Sequence, residues 1–397
     1  MFRHYAASFF SGFRRRDVAF SVFVAVIVVA LRFLPTGFED RLPDGMEHVR
    51  GEVVSVDDSL VRQYGFIRDG VQVLEIRISE GSFAGTVVRA ENRFVGKLEL
   101  DKVFRPGDVA LVDLTVSGGK VAYAHASDHY RVTLELALLG AFALLLLLFG
   151  GFAGFQALLS FLFTALAVWK LVIPLFLKGC DPLLVSLGVV TVLTAVIIFL
   201  VAGLGLKGLV AFCGATFGLV LTGALALAIA PPFRLHGAVR PFSETLLYSG
   251  FGFLDLTRIF LSGIFLASSG AVMDLAMDLS SALREIATHT PGIGAFALFR
   301  SGIRIGRSVI GTMTTTLLLA YSGSYVTMLM VFMGQGIPLV NVLNMNYTAA
   351  EFLHTVVGSF GLVLVAPLTA AVGAFAYSRE ARALRERKES SPALPVR

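Results

Sequence analysis

The sequence predicts an all-α membrane protein: an eight-helix transmembrane bundle with a small extracytoplasmic β-barrel, OB-like, between spans one and two. Three observations predict it. Seven long apolar runs follow residue 131. An eighth, residues 18–34, precedes a stretch of different character. The chain is 56% hydrophobic and 15% charged, whereas a soluble domain averages about 45–50% and 25%.

The formal charge of +5 gathers beside the apolar runs, at Arg14, Arg15 and Arg16, at Arg300, Arg304 and Arg307, and at Arg382, Arg385, Arg387 and Lys388. That distribution sets membrane orientation and is not a nucleic-acid footprint. The three leading arginines place the N-terminus in the bacterial cytoplasm. Alternation then puts the β domain outside the cytoplasmic (inner) membrane, and residues 282–308 and the basic C-terminus inside. The expected partners are the lipid bilayer and a small solute or ion, with no nucleic acid. Two cysteines, Cys180 and Cys213, are too few for a disulfide framework or a metal centre.

Residues 1–35 hold the cytoplasmic N-terminus and the first span. No small-x-small site follows that run, so it reads as an uncleaved anchor. In residues 36–131, β-branched residues alternate with polar ones, giving strands near 52–56, 71–79, 86–91 and 109–116. Turn residues separate them at Arg68-Asp69-Gly70, Glu80-Gly81-Ser82, Arg105-Pro106-Gly107-Asp108 and Ser117-Gly118-Gly119. Residues 132–378 carry seven spans, near 132–151, 156–177, 183–204, 208–230, 254–281, 309–333 and 352–376. Each is close to the ~20 residues a bilayer requires. Residues 379–397 read as a charged cytoplasmic tail. No phosphate loop, HExxH, GxSxG or Walker pattern appears, so the sequence points to no enzyme, cofactor or metal.

The sixth span contains Asp274 and Asp278, one turn apart. A charge at the bilayer centre costs about 2.5–3.5 kcal/mol on insertion scales. On a helical wheel Gly263, Ala267, Gly270, Asp278 and Ser281 fall beside Asp274, while Leu261, Phe265, Val272 and Leu279 fall opposite. This gives a small, polar face and a bulky face. The expectation is a sheltered carboxylate pair that binds an ion or carries a proton, with the bulky face toward lipid. The competing reading makes the acids structural, paired with Arg284 or Arg304. Thr312, Thr315 and Thr316 on span seven are expected to line the same path, or simply to glue helices. Asp255 and Arg258 form an i,i+3 ion pair or an outer gate. Lys170 either snorkels or serves as an internal counter-ion. Glu351 and His354 open the last span as an i,i+3 pair, either a helix-start arrangement or half of a carboxylate–histidine site. His125, Asp128 and His129 read as polar surface rather than metal ligands.

Ser268-Ser269-Gly270-Ala271-Val272-Met273-Asp274 and the following Met277 to Ile286 resemble the YibE/F-like family of bacterial membrane proteins. A second block is more specific: Ile305-Gly306-Arg307, Gly311-Thr312-Met313-Thr314, Thr316-Leu317 and Ala320-Tyr321. Glu351-Phe352-Leu353, Gly358-Ser359-Phe360-Gly361 and Pro367-Leu368-Thr369-Ala370 continue the resemblance. It spans most of residues 50–376. Ser308, Thr315 and His354 depart from the family pattern, which has an acid, an Asn and a basic residue there. The resemblance implies a polytopic inner-membrane protein, a transporter or permease of unspecified substrate. The alternative is a non-transporting scaffold whose β domain binds a partner or envelope component.

Overall fold

The computed structural model describes residues 15–39 and 45–390. Arg14 and residues 391–397, both used in the orientation reading, lie outside the described residues. The chain divides into two compact units, one from Gly37 to Leu145 and the other made of the remainder.

The first unit is a barrel of β1 (Met46–Asp57), β2 (Val61–Tyr64), β3 (Ile67–Ile78), β4 (Val87–Val95), β5 (Val109–Ser117) and β6 (Lys120–His129). Strands run in the order β1-β5-β6-β4-β3, and a β1–β3 pairing closes the ring. All pairings are antiparallel except β4–β6. This is the Greek-key order of an OB-type barrel. The short β2 extends β3 as a hairpin. The expected strands correspond to β1, β3, β4 and β5; β2 and β6 add to them. Alternate residues point inward and build the core from Val49, Val53, Leu74, Ile76, Val112 and Leu114.

A polar cross-brace sits inside this barrel. Gln72 and Asn92 are fully buried. Gln72 Nε2 donates to Asp58 Oδ1 at 2.8 Å and to the Phe104 carbonyl at 3.1 Å, and its Oε1 accepts from Asn92 Nδ2 at 3.1 Å and from Phe104 N at 3.0 Å. Asn92 also donates to the Lys102 carbonyl at 2.7 Å. The two amides thus pin the loop before β5. Gln72→Ala strands several of these groups in the core and is expected to cost the barrel about 2–3 kcal/mol. Amide hydrogen exchange should accelerate in residues 46–129; unchanged exchange there rules the brace out.

The second unit is helical. It begins with α1 (Arg15–Phe33). The next run is α2 (Val132–Ala167), whose residues up to Leu145 fall in the first unit, then a π-turn at Val168–Val172 and α3 (Ile173–Leu177). Gly151, at φ 55 and ψ −128, leaves helical geometry inside α2. The expected spans 132–151 and 156–177 are the two arms of this one bent run. Residues 132–150 bury no side chain. Then follow α4 (Pro182–Ala202), α5 (Leu206–Phe233), α6 (Ser243–Leu246), α7 (Leu256–His289), α8 (Ala295–Ser322), α9 (Val326–Gly334), α10 (Leu339–Asn344) and α11 (Asn346–Ser390).

Among the described residues five helices are long and apolar enough to cross a membrane, or six if the bent pair α8–α9 counts as one. Hydropathy alone counted eight. Residues 132–177 merge into one run, and α1 holds Arg16, Asp17 and Arg32 within any stretch of spanning length. Residues 282–308 are mostly helical: α7 runs on to His289 and α8 starts at Ala295. The seventh run breaks after Ser322, where α9 turns away by 67°. α11 continues through the expected tail as far as Ser390.

The core lies among α5, α7, α8 and α11. Leu219, Val272, Leu275, Leu279, Leu283, Leu362 and Val365 fill it. Small residues bring the helices close: a Cβ on Gly306 would lie 3.0 Å from Ala366 Cβ, and one on Gly361 3.2 Å from Val272 Cγ2. Ser280 Oγ donates to the Lys207 carbonyl at 2.8 Å and meets the Tyr377 hydroxyl at 2.7 Å, tying α7 to α5 and α11. α1 packs its buried Val24 against Leu159, Phe163, Leu193 and Leu200.

Candidate functional site: an ion cluster beside an apolar cavity

The structure concentrates buried polar chemistry where the segment after α5 meets α7 and α11. α5 ends at Pro231-Pro232 and Phe233, with Arg234 in a left-handed cap at φ 50. Gly237 then lies against the backbone of Leu256, where any Cβ would collide with the Leu256 carbonyl. Its N–H donates to Thr257 Oγ1 at 3.2 Å. This docking fixes the next residues and aims Arg240 across the mouth of the bundle.

Arg240 is 111 positions from its partner in sequence, and its Nη1 pairs with Glu351 Oε1. Its Nη2 lies 3.0 Å from His354 Nδ1. His354 Nδ1 is also 3.8 Å from Glu351 Oε2. The Glu351 and His354 side chains are 16% and 14% exposed, against 37% for Arg240, so the cluster is anchored in protein and open on the arginine side. The arginine lies over the Phe260 ring at 5.4 Å. Tyr321, at the end of α8, stacks on His354 with ring centroids 4.6 Å apart. His354 Nε2 and the Tyr321 hydroxyl are buried and, among the described residues, meet no hydrogen-bond partner.

Arginine offers only donors. At the 3.0 Å contact with Arg240, Nδ1 of His354 is therefore the acceptor. Beside the cluster lies a half-open cavity of about 580 Å³, lined by Arg240, Ser243 and His354 and by apolar groups including Phe242, Leu246, Leu256, Ile259 and Phe260. That size and lining suit a small organic molecule.

The other sequence candidates lie elsewhere. Asp274 and Asp278 are exposed on α7, together with Ala267 and Gly270, while Leu261, Phe265, Val272 and Leu279 are buried. The two faces expected from the helical wheel exist, but their assignment is reversed: the bulky face is core and the carboxylates point outward. Among the described residues neither carboxylate has a hydrogen-bond or ion-pair partner, and Arg284 pairs with Glu380 instead, at 3.7 Å. Thr312, Thr315 and Thr316 are also exposed, and each hydroxyl donates within its own helix, to Val309, Gly311 and Thr312 carbonyls. Among the described residues no hydrogen bond joins them to Asp274.

Asp255 and Arg258 form the expected i,i+3 pair, at 3.6 Å. Asp255 also caps α7 by accepting from Arg258 N at 3.0 Å. Arg258 reaches on to Asp181, which caps α4 by accepting from Leu183 N and Leu184 N. One guanidinium thus clips two helix starts. Lys170 Nζ donates to the Leu34 carbonyl at 2.8 Å, just past the end of α1, a C-terminal capping contact. In the barrel, His125 Nδ1 meets the Glu91 carbonyl at 2.9 Å, His129 stacks on Phe104, and Asp128 pairs with Arg131. Cys180 and Cys213 are free.

Sequence reading found Glu351 and His354 but not the residue that organises them. The available signal was Arg240 itself, a cation in a proline-bounded segment between two apolar runs. No curated protein matches the chain, and no solved structure does. The YibE/F-like protein family model matches residues 138–379. The matched region begins after the barrel and takes in the ion cluster, the cavity and both exposed aspartates. With apolar helices of spanning length over most of that region, the chain belongs to the YibE/F-like family of membrane proteins.

Proposed function

We propose that this protein is a permease of the bacterial cytoplasmic membrane that admits a small amphipathic solute to the cavity beside Arg240. The proposal carries the orientation read from the arginines: both termini cytoplasmic, the barrel outside, and eight membrane passages once α1 and both arms of residues 132–177 are counted. The observation that carries the function is the cavity's wall. His354 Nδ1 lies 3.0 Å from Arg240 Nη2 and 3.8 Å from a carboxylate oxygen of Glu351, between a donor and an acceptor.

That arrangement supplies a coupling device. A proton arriving at Nδ1 turns an acceptor into a donor. Arg240 and His354 then repel each other, and His354 swings toward Glu351. The guanidinium is freed toward the cavity, where it meets the polar end of a solute; Phe260 and Ile259 take the apolar end. In this reading Asp255, Arg258 and Lys170 hold the helices in place, and Asp274 and Asp278 act away from the cavity.

The test is proteoliposomes loaded with a pH-sensitive dye and challenged with short carboxylates, amino acids and alkylamines. At least one class should move protons faster than in protein-free vesicles. His354→Gln, which keeps a hydrogen-bonding side chain but cannot titrate, should abolish solute-linked proton movement. If no probe moves protons or solute above the protein-free rate, the permease reading fails.

A further inference from the structure

Two helices of the bundle carry their polar faces outward. On α7 the exposed stripe runs through Ala267, Gly270, Asp274 and Asp278; on α8 it runs through Arg300, Arg304, Arg307, Gly311 and Thr315. Among the described residues, nothing beyond the helix's own adjoining backbone lies within 4 Å of a Cβ built on Gly263, Gly270 or Gly311. Among the described residues none of these aspartates or arginines has an ion-pair partner. Lipid is a poor cover for such a surface, because ionised side chains are costly against hydrocarbon. Small residues permit close helix approach, and opposite charges permit pairing across it.

The depths match. Leu283 and Gly302 lie together where α7 and α8 meet: a Cβ built on Gly302 would stand 3.2 Å from Leu283 Cδ2. The helices run in opposite directions from there, being joined by the short segment 290–294. Five residues back along α7 from Leu283 is Asp278, and five residues forward along α8 from Gly302 is Arg307. With equal rise per residue the two charges share one level. A two-fold axis along the bundle preserves depth, so it allows Asp278 of one copy to face Arg307 of the other.

We propose that a second copy of this chain covers the α7–α8 surface, with the small stripe of α7 at the contact and Asp278 paired to Arg307 between copies. The stripe that looked like a pathway in one chain is then completed by two. This does not depend on the permease reading, and its test measures assembly rather than flux.

Two differently tagged full-length chains are co-expressed in membranes, one carrying Asp278→Arg and the other Arg307→Asp. Each single variant repels itself across the axis, while the mixed pair restores both contacts. Mixed dimers should exceed either like pair by about tenfold. Statistical mixing overturns the charge pairing. A second measurement covers variants that fail to insert. With Cys180→Ser and Cys213→Ser as background, Gly270→Cys should be cross-linked to a dimer by a short bismaleimide, while Val192→Cys, exposed on α4, should not. No cross-link at Gly270, with ready labelling there by a membrane-impermeant maleimide, overturns the proposal in favour of a water-filled cleft in a single copy.

Discussion

Arg240→Ala is expected to destabilise the helical unit by about 2–5 kcal/mol, the range for removing one partner from a desolvated, hydrogen-bonded charge pair. Glu351 is the reason. Its side chain is 16% exposed, and without Arg240 its charge keeps only His354 nearby. The loss should also reach the segment after α5, since the guanidinium ties residue 240 to α11 and covers Phe260. Arg240→Lys should recover only part of it, because an ammonium cannot reach Glu351 and His354 with two separate donors in one plane. The decisive measurement is a double-mutant cycle with Glu351→Leu, read by unfolding in mixed detergent micelles. Arg240→Leu with Glu351→Leu should lose less than the two single changes added together, since the pair leaves no orphan charge. Simple additivity sinks the claim that these residues act as a unit.

Gly214→Leu should be the most damaging change in the α5–α11 seam. A Cβ at Gly214 would run into Thr369, whose Cα lies 2.9 Å from that position. The backbone of α11 cannot yield there without moving Val365, which packs in the same row against Gly218. Gly214→Ala should cost about 1–3 kcal/mol by overpacking, and the leucine more. Gly188→Ala on α4, where nothing lies within 4 Å of the new atom, provides the control and should be neutral or slightly stabilising, since alanine is the better helix former. The readout is the detergent unfolding midpoint of each variant. An undisturbed midpoint for Gly214→Leu means the seam is looser than the contact distances state.

Much of the fold was legible because its signals are local. Apolar runs of spanning length marked the helices, and alternation with turn glycines marked most of the barrel. β6 escaped because Lys120–His129 has few large apolar side chains, although Ser117-Gly118-Gly119 before it is a hairpin turn pairing Ser117 with Lys120. The joining of α7 and α8 around residues 290–294 escaped for a different reason. Arginines read only as markers of the cytoplasmic side sit on a helix whose Gly302 and Gly306 are packed against Ala370 and Ala366.

By itself the sequence determined that the chain carries membrane-spanning helices and an alternating β domain, and that α7 has two unlike faces. It did not determine which face is inside. In water the apolar face of a helix goes to the core, because water is the only alternative. In a bilayer lipid tails and a protein core are equally apolar, so periodicity alone cannot choose between them. Only the tertiary structure decided that Val272 and Leu279 fill the interior and that Asp274 and Asp278 look outward. It alone also brought Arg240 to Glu351 and His354, since a pairing across 111 residues leaves no local trace.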